Sequence, residues 1–456
     1  MNARGFVTTL AGNLLGRRAP GGAESASPQD KGPAANASVR RNFFLHLHAV
    51  RIRPIALRPA TTFGLGTALL SLFGLLSASG LALMIYYVPT TEGAYGSMQD
   101  IQSVVVFGGW VRSLHRLAAN AMVLVLALHL VRVAATAAYR GRQRNWFIGL
   151  SLGMLTLALC FTGYLLPWDQ RSYWAVTVVT GTLDHLPGLG PWLKQILLGG
   201  ERIGGAALLR FYVLHVALLP ALGSALIGWH LWRIRKDGGL AIQGEGPEFE
   251  PVVPVWPHGV LRELNLILLV SLVLFAISAV FPASLGLPVD PQVPSNPEKA
   301  PWYLVWLQEM VSYSVAVGVW GFPATLLSGL LLLPRLDRES AGTGRFLGTR
   351  GIRWACGLST SLAILIFCLV AAWYLGAGRG SDPAQGALLF SPASAMLLLA
   401  LLSFLVAGWS TGSVRLAWLA GLCVLAVALV GCLVLGECRG PGWVFFWPWE
   451  GWPGGN

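Results

Sequence analysis

Four histidines carry the chemistry that can be read from this sequence. The stretch RSLHRLAANAMVLVLALHLVR (residues 112–132) holds His115 and His129, fourteen residues apart. A second stretch, RFYVLHVALLPALGSALIGWHLWR (residues 210–233), holds His215 and His230, fifteen apart. Both are apolar enough to cross a bilayer as helices. Fourteen residues of helix turn by about 1400°, within roughly 40° of whole turns, and rise about 21 Å. Each pair therefore lies near one face of its helix, with one imidazole towards each half of the bilayer. The fifteen-residue spacing overshoots by about 60°, which a local distortion of the helix would absorb. If the two helices run in the same direction, His115 shares a level with His215, and His129 with His230. That arrangement predicts two bis-histidine haems stacked across the membrane.

A lone histidine in a span can be a packed polar residue or a proton relay. Two matched pairs at common depths are hard to explain by packing. Zinc or copper also takes imidazole, but ligands about 21 Å apart along a helix cannot surround one ion. Glycines point the same way: Gly66 and Gly80 are fourteen apart in the run before the first histidine pair, and Gly149 and Gly163 are fourteen apart in the run between the two pairs. A planar macrocycle edge-on between helices requires close backbones, and glycine leaves that room, although small residues also serve ordinary helix packing. Arg112 and Arg210, just before His115 and His215, are candidates to hold haem propionates; snorkelling to the interface is the plain alternative.

The elements that must position these residues are membrane helices. Of the 456 residues, 55% are hydrophobic and 11% charged, far below the quarter or so charged in soluble domains. Nine apolar runs fall near 62–88, 112–137, 146–166, 208–235, 260–283, 312–333, 352–376, 394–410 and 415–436. The expected fold class is therefore an all-α integral membrane protein, a four-helix haem bundle plus C-terminal transmembrane helices. The net charge of +12 sits in loops on one side, as orientation signals do, so no nucleic-acid partner is expected. The same rule places the N-terminus on the cytoplasmic or stromal, electrically negative side; the expected location is the cell inner membrane, as a multi-pass protein with a cytoplasmic N-terminus. The expected divisions are a cytoplasmic arm (1–59), a di-haem bundle (60–236), a linker (237–259), a group of quinol-site helices (260–376) and a two-helix extension (377–456). The six cysteines form no C-x-x-C-H, so no covalent c-type haem of the standard kind is expected.

RSLHRLAANAMVLVLALHLVRV, GYLLPWDQRSYWAVTVVTG and RFYVLHVALLP resemble the cytochrome b family of quinol-oxidising bc-type complexes, especially its chloroplast and cyanobacterial branch. DPQVPSNPEKAPWYLVWLQE (residues 290–309) is similar to the separate subunit IV of that branch, here fused to the first half. The resemblance runs from about residue 60 to 376. It implies a di-haem cytochrome b subunit of a quinol:cytochrome c, or similar acceptor, oxidoreductase, enzymatic as part of a complex. His115 and His215 would bind the haem near the positive side, His129 and His230 the haem near the negative side. Quinol would be oxidised near Pro167, Trp168, Asp169, Tyr173, Tyr303 and the 301–309 segment, with protons released on the positive side. The implied partners are a Rieske iron–sulfur protein, a c-type cytochrome subunit, quinone, membrane lipids and a second copy in a dimeric complex.

Two departures stand out. The Pro-Glu-Trp-Tyr tetrad of the family is here Ala300, Pro301, Trp302 and Tyr303, which removes the usual proton-accepting glutamate. Glu309, about two helical turns on, is the favoured substitute, and Glu298 the second. The extra haem of the chloroplast branch is tied to a cysteine where this chain has Gly64, so no covalently attached haem is expected. On the negative side the resemblance suggests Arg262 and Glu263 for quinone reduction and proton uptake, and Arg235 for a propionate or the quinone head; positive-inside charge and helix-start preference account for these residues equally well.

Two rivals compete with this reading: a cytochrome b membrane anchor of a dehydrogenase such as formate dehydrogenase or hydrogenase, and a transporter with histidine proton relays. A reduced-minus-oxidised spectrum of the purified protein is expected to show a b-type α-band. A transporter would show none.

Overall fold

The computed structural model describes residues 51–186, 188–239, 253–294, 299–337, 344, 346–347, 350–376 and 392–446. Glu298, most of the N-terminal arm and the middle of the 237–259 linker lie outside the described residues. In chain order the helices of nine or more described residues are α1 (Leu65–Met84), α2 (Ala94–Ser103), α3 (Gly108–Ala135), α4 (Gln143–Tyr164), α5 (Gln170–Gly181), α6 (Gly190–Leu198), α7 (Gly205–Lys236), α8 (His258–Val280), α9 (Trp302–Tyr313), α10 (Phe322–Leu336), α11 (Arg350–Gly376), α12 (Pro392–Thr411) and α13 (Val414–Glu437). Among the described residues nine of these are long and apolar enough to cross a membrane: α1, α3, α4, α7, α8, α10 with its lead-in turn, α11, α12 and α13. The short helices α2, α5, α6 and α9 lie in the connections between them. The only sheet among the described residues is a two-residue antiparallel pairing of Arg51–Ile52 with Val253–Pro254.

The fifteen-residue histidine spacing has a visible cause. Residues Leu214–Leu218 form a π-turn within α7, with the N–H of Leu219 bonded to the carbonyl of Leu214. Pro220, one residue later, has no N–H to continue a regular ladder. A π-turn inserts one extra residue, so His215 and His230 face the way a fourteen-residue pair would.

The sixth span starts later than the apolar run suggests, at Val317 rather than near 312. Ser314 is extended (φ −164°, ψ 122°) and ends α9 as a separate helix; a second π-turn, Ala316–Gly321, leads into α10.

Helix α1 packs on α3 and α8, and α4 on α7. The C-terminal half is organised around α13, which contacts α9, α10, α11 and α12. The halves are joined through Trp146 on α4, whose indole N–H donates to the carbonyl of Leu330 on α10 at 2.8 Å, while within the C-terminal half Trp418 on α13 donates to the carbonyl of Gly329 at 2.9 Å. Both ends of α13 carry buried ion pairs. At its start the Arg415 guanidinium donates to Asp337 at 2.8 Å, and Asp337 also accepts from the Tyr139 hydroxyl at 2.6 Å. Past its end Arg439 meets Glu309 at 2.6 Å, with both side chains essentially inaccessible.

Arg415→Leu strands Asp337 in a buried site, and breaking such a pair costs about 3–5 kcal/mol. The lower end is expected because Arg140 lies 3.7 Å from the same carboxylate. Removing both partners with Asp337→Leu/Arg415→Leu should be milder than either single change, measured as the melting temperature of the purified protein. A double variant weaker than both singles would contradict this account.

Candidate haem and quinone site

Helices α1, α3, α4 and α7 enclose a cavity of about 1410 Å³ whose wall includes all four histidines and all four glycines singled out above. Pockets for a single small ligand usually fall within about 300–1,000 Å³, so this one has room for more than one group.

Each glycine faces one histidine. A Cβ built on Gly163 would sit 2.4 Å from Cε1 of His215, and one on Gly80 would sit 3.2 Å from Cε1 of His115. At the other level the corresponding distances are 3.5 Å from Gly149 to His230 and 3.9 Å from Gly66 to His129. Along each pair of helices the glycines run in the reverse order to the histidines, as antiparallel neighbours require. An imidazole edge lies against the space that each glycine leaves open.

The His115 and His215 ring centroids are 6.1 Å apart. Two imidazoles on opposite sides of one metal ion, each with a ring nitrogen about 2 Å from it, would have centroids about 6 Å apart. The other ring nitrogens are already engaged. Nδ1 of His115 lies 2.9 Å from the Ser79 hydroxyl, which itself donates to the carbonyl of Leu75 at 2.7 Å. Nδ1 of His215 lies 3.0 Å from the carbonyl of Leu159. A carbonyl can only accept, so Nδ1 of His215 carries the proton and its Nε2 keeps a free lone pair. A metal-ligating histidine usually donates its other ring N–H to a carbonyl or similar acceptor in this way. The residues present thus fit a haem held from both faces. Among the described residues no cluster of three or more His, Cys, Asp or Glu forms a closed metal-ion site.

The chain is similar to known proteins over this same region. A family model described as "Cytochrome b/b6/petB" matches residues 54–238. Cytochrome b6 of Chlamydomonas reinhardtii is 43% identical over 162 residues, covering 35% of this chain and 75% of that protein. Cytochrome b6 of Synechococcus elongatus is 41% identical over 175 residues, covering 38% and 81%. This chain belongs to the cytochrome b/b6 family. A solved structure titled "Hyperthermophilic respiratory Complex III" shares the fold, with a TM-score of 0.55 and 24% identity over 82% of this chain and 90% of that one. Membership in the cytochrome b family implies b-type haem.

In this cytochrome b, Arg112 lines the cavity, but its guanidinium donates to the carbonyls of Ala283 at 2.7 Å and Ser284 at 3.0 Å and to the Gln102 side chain. Arg210 lies off the cavity wall. It donates to the carbonyls of Gln195 and Ile196, capping the C-terminus of α6 where backbone acceptors lack partners. Arg116 and Arg132 line the cavity instead. Nε of Arg132 is buried with no hydrogen-bond partner, a site suited to a carboxylate. Its position three residues after His129 mirrors Arg112 three before His115, a signal the sequence contained.

Tyr303 and Asp169 also line the cavity. Burial pushes the Tyr303 phenol well above its ordinary pKa, with neighbouring Cys160 adding to the effect, so it stays protonated and serves as a donor. Asp169 caps α5, its oxygens accepting from the backbone N–H of Ser172 at 2.9 Å and of Gly286 at 2.8 Å. Tyr173 packs in the core beside Trp168 and is not on the cavity wall. Glu309 is likewise absent from that wall, because Arg439, Trp443 and Tyr313 occupy both of its oxygens. Arg235, Arg262 and Glu263 all reach the cavity. Gly64 has φ +65°, and Leu266 fills the space its Cβ would take.

The distances rank the glycines. Gly163→Ala should be the most disruptive, then Gly80→Ala, with Gly149→Ala and Gly66→Ala tolerated. Haem content per polypeptide checks this order; equal losses at all four positions would refute it.

Proposed function

We propose that this chain is the di-haem cytochrome b subunit of a quinol:cytochrome c, or similar acceptor, oxidoreductase in the inner membrane, with its N-terminus cytoplasmic. The observation that supports this best is the matched set of four glycine–histidine approaches at two levels of one cavity. His115 and His215 would hold one b-type haem, and His129 and His230 the other, both non-covalently. When bound, these groups supply one-electron transfer between the two faces of the membrane.

The residues of the chain do the rest. The carbonyl of Leu159 fixes the tautomer of His215, and Ser79 orients His115. Arg116 and Arg132 place positive charge where propionates would need it. Pro167, Asp169, Pro301, Trp302 and Tyr303 line the same cavity, and in this reading they belong to the quinol site at the His115–His215 end. There the protonated Tyr303 can donate to a quinol or quinone oxygen. At the opposite end Glu263 can pass a proton to a bound quinone, while Arg262 and Arg235 favour its developing negative charge. A Rieske protein and a c-type cytochrome would complete the electron path, in a complex resembling a dimer of such assemblies.

The dehydrogenase-anchor reading does not call for the wall contributed by residues 301–303. The test is a redox titration of the purified complex. Two b-type components of unequal potential are expected, with His115→Ala removing one and His129→Ala the other. A single component, or both surviving replacement of all four histidines, would overturn the proposal. Quinol-dependent cytochrome c reduction by the same preparation excludes the anchor.

A further inference from the structure

One buried ionic cluster has no part in the scheme above. Glu309, on the last turns of α9, is fully buried. Its Oε1 accepts from Nη2 of Arg439 at 2.6 Å and from the Tyr313 hydroxyl at 2.5 Å. Its Oε2 accepts from Nε of Arg439 at 3.0 Å and from the Trp443 indole N–H at 3.0 Å. Arg439 also donates to the carbonyl of Trp443 at 3.1 Å, closing a hook after α13 in which Arg439 pairs with Phe445 as an antiparallel bridge.

The last turn of α13 also grips the start of α9. Lys299 donates to the carbonyl of Glu437 at 2.5 Å. Gly436 lets α13 approach so closely that a Cβ there would lie 2.9 Å from Cγ1 of Val305 and 3.1 Å from its carbonyl oxygen. The first turn of α9 meanwhile walls the cavity with Trp302 and Tyr303, and the Trp302 indole donates to Asn120 on α3 at 3.1 Å. Trp302 and Glu309 are seven residues apart, about 10 Å along one rigid helix. A clamp on the last turn therefore sets the placement of the first.

We propose that Arg439 is a positioning residue of the quinol site: through its pair with Glu309 it fixes how far Trp302 and Tyr303 project into the cavity, which makes the C-terminal helix part of that site. This rests on the quinol-oxidising reading above. Glu309 then anchors α9 and has no oxygen left to take a proton from substrate.

The experiment compares wild type, Arg439→Gln, Glu309→Gln, Arg439→Lys and the double change Glu309→Leu/Arg439→Met in the purified complex, with a short-chain benzoquinol as substrate. Both single neutral variants should raise KM on the order of tenfold, with haem content, haem potentials and the shape of the pH profile of kcat unchanged. Arg439→Lys should restore part of the loss. The double change should be no worse than either single one, as expected for partners in one contact. An unchanged KM in Arg439→Gln overturns the proposal. So does loss of the acid limb of the pH profile in Glu309→Gln alone, which would make Glu309 a proton acceptor. If Arg439→Gln does not assemble, the double variant leaves no stranded charge and its KM decides. Should the wild-type complex oxidise no quinol, the functional reading falls, and positioning is read instead from hydrogen exchange at residues 302–306. That exchange rises in Arg439→Gln if the clamp holds α9 and is unchanged if it does not.

Discussion

Opposite each cavity histidine the neighbouring helix carries a glycine, and at the narrowest approach, Gly163 against His215, even a methyl group would overlap the ring. Much else in the N-terminal half follows from that spacing. At the His115–His215 level the ring edges enter where the facing backbone is bare, so the placement of those two imidazoles is tied to Gly80 on α1 and Gly163 on α4. Because these helices run antiparallel to α3 and α7, a period of fourteen on one helix must be met by a period of fourteen on its neighbour. Helix α7 departs from that period by one residue, and its π-turn at Leu214–Leu218 takes up the difference. The turn places His215 with its Nδ1 against the carbonyl of Leu159 and its other nitrogen free.

Features that repeat along one helix were legible in the sequence, because helical geometry turns spacing into facing. The four histidines, their glycines and the nine apolar spans are of this kind. The distortion in α7 was legible too, since fifteen residues cannot be in register with fourteen unless one is accommodated. The roles of single residues were less so. Arg112 and Arg210 stand in similar sequence positions ahead of a histidine, yet one reaches the cavity and the other caps α6. The difference lies in the short helix α6 between the spans, whose exposed carbonyls compete for the guanidinium.

Glu309 marks the limit of one-dimensional reading more sharply. A carboxylate inside an apolar stretch must be paired or functional, and the sequence alone offered no partner nearby. Its partner is Arg439, 130 positions away, in a Gly- and Pro-containing stretch with no periodicity to flag it. The same holds for Asp337 and Arg415. Contacts between elements distant in sequence are set by how helices pack, and packing leaves no period in the sequence.

Two buried pairs at the two ends of α13 also bear on why a chain would keep charges there at all. Apolar replacements of similar size often hold a fold equally well, so stability alone is a weak reason. Arg415 at one end and Arg439 beyond the other make one register distinct, since any slip would strand Asp337 and Glu309 at once. Helix α13 is in turn the surface on which α9 and α10 rest, and α9 carries the first-turn residues that wall the cavity. The placement of that wall is therefore set from outside the bundle that holds the histidines, by a helix pinned at both ends.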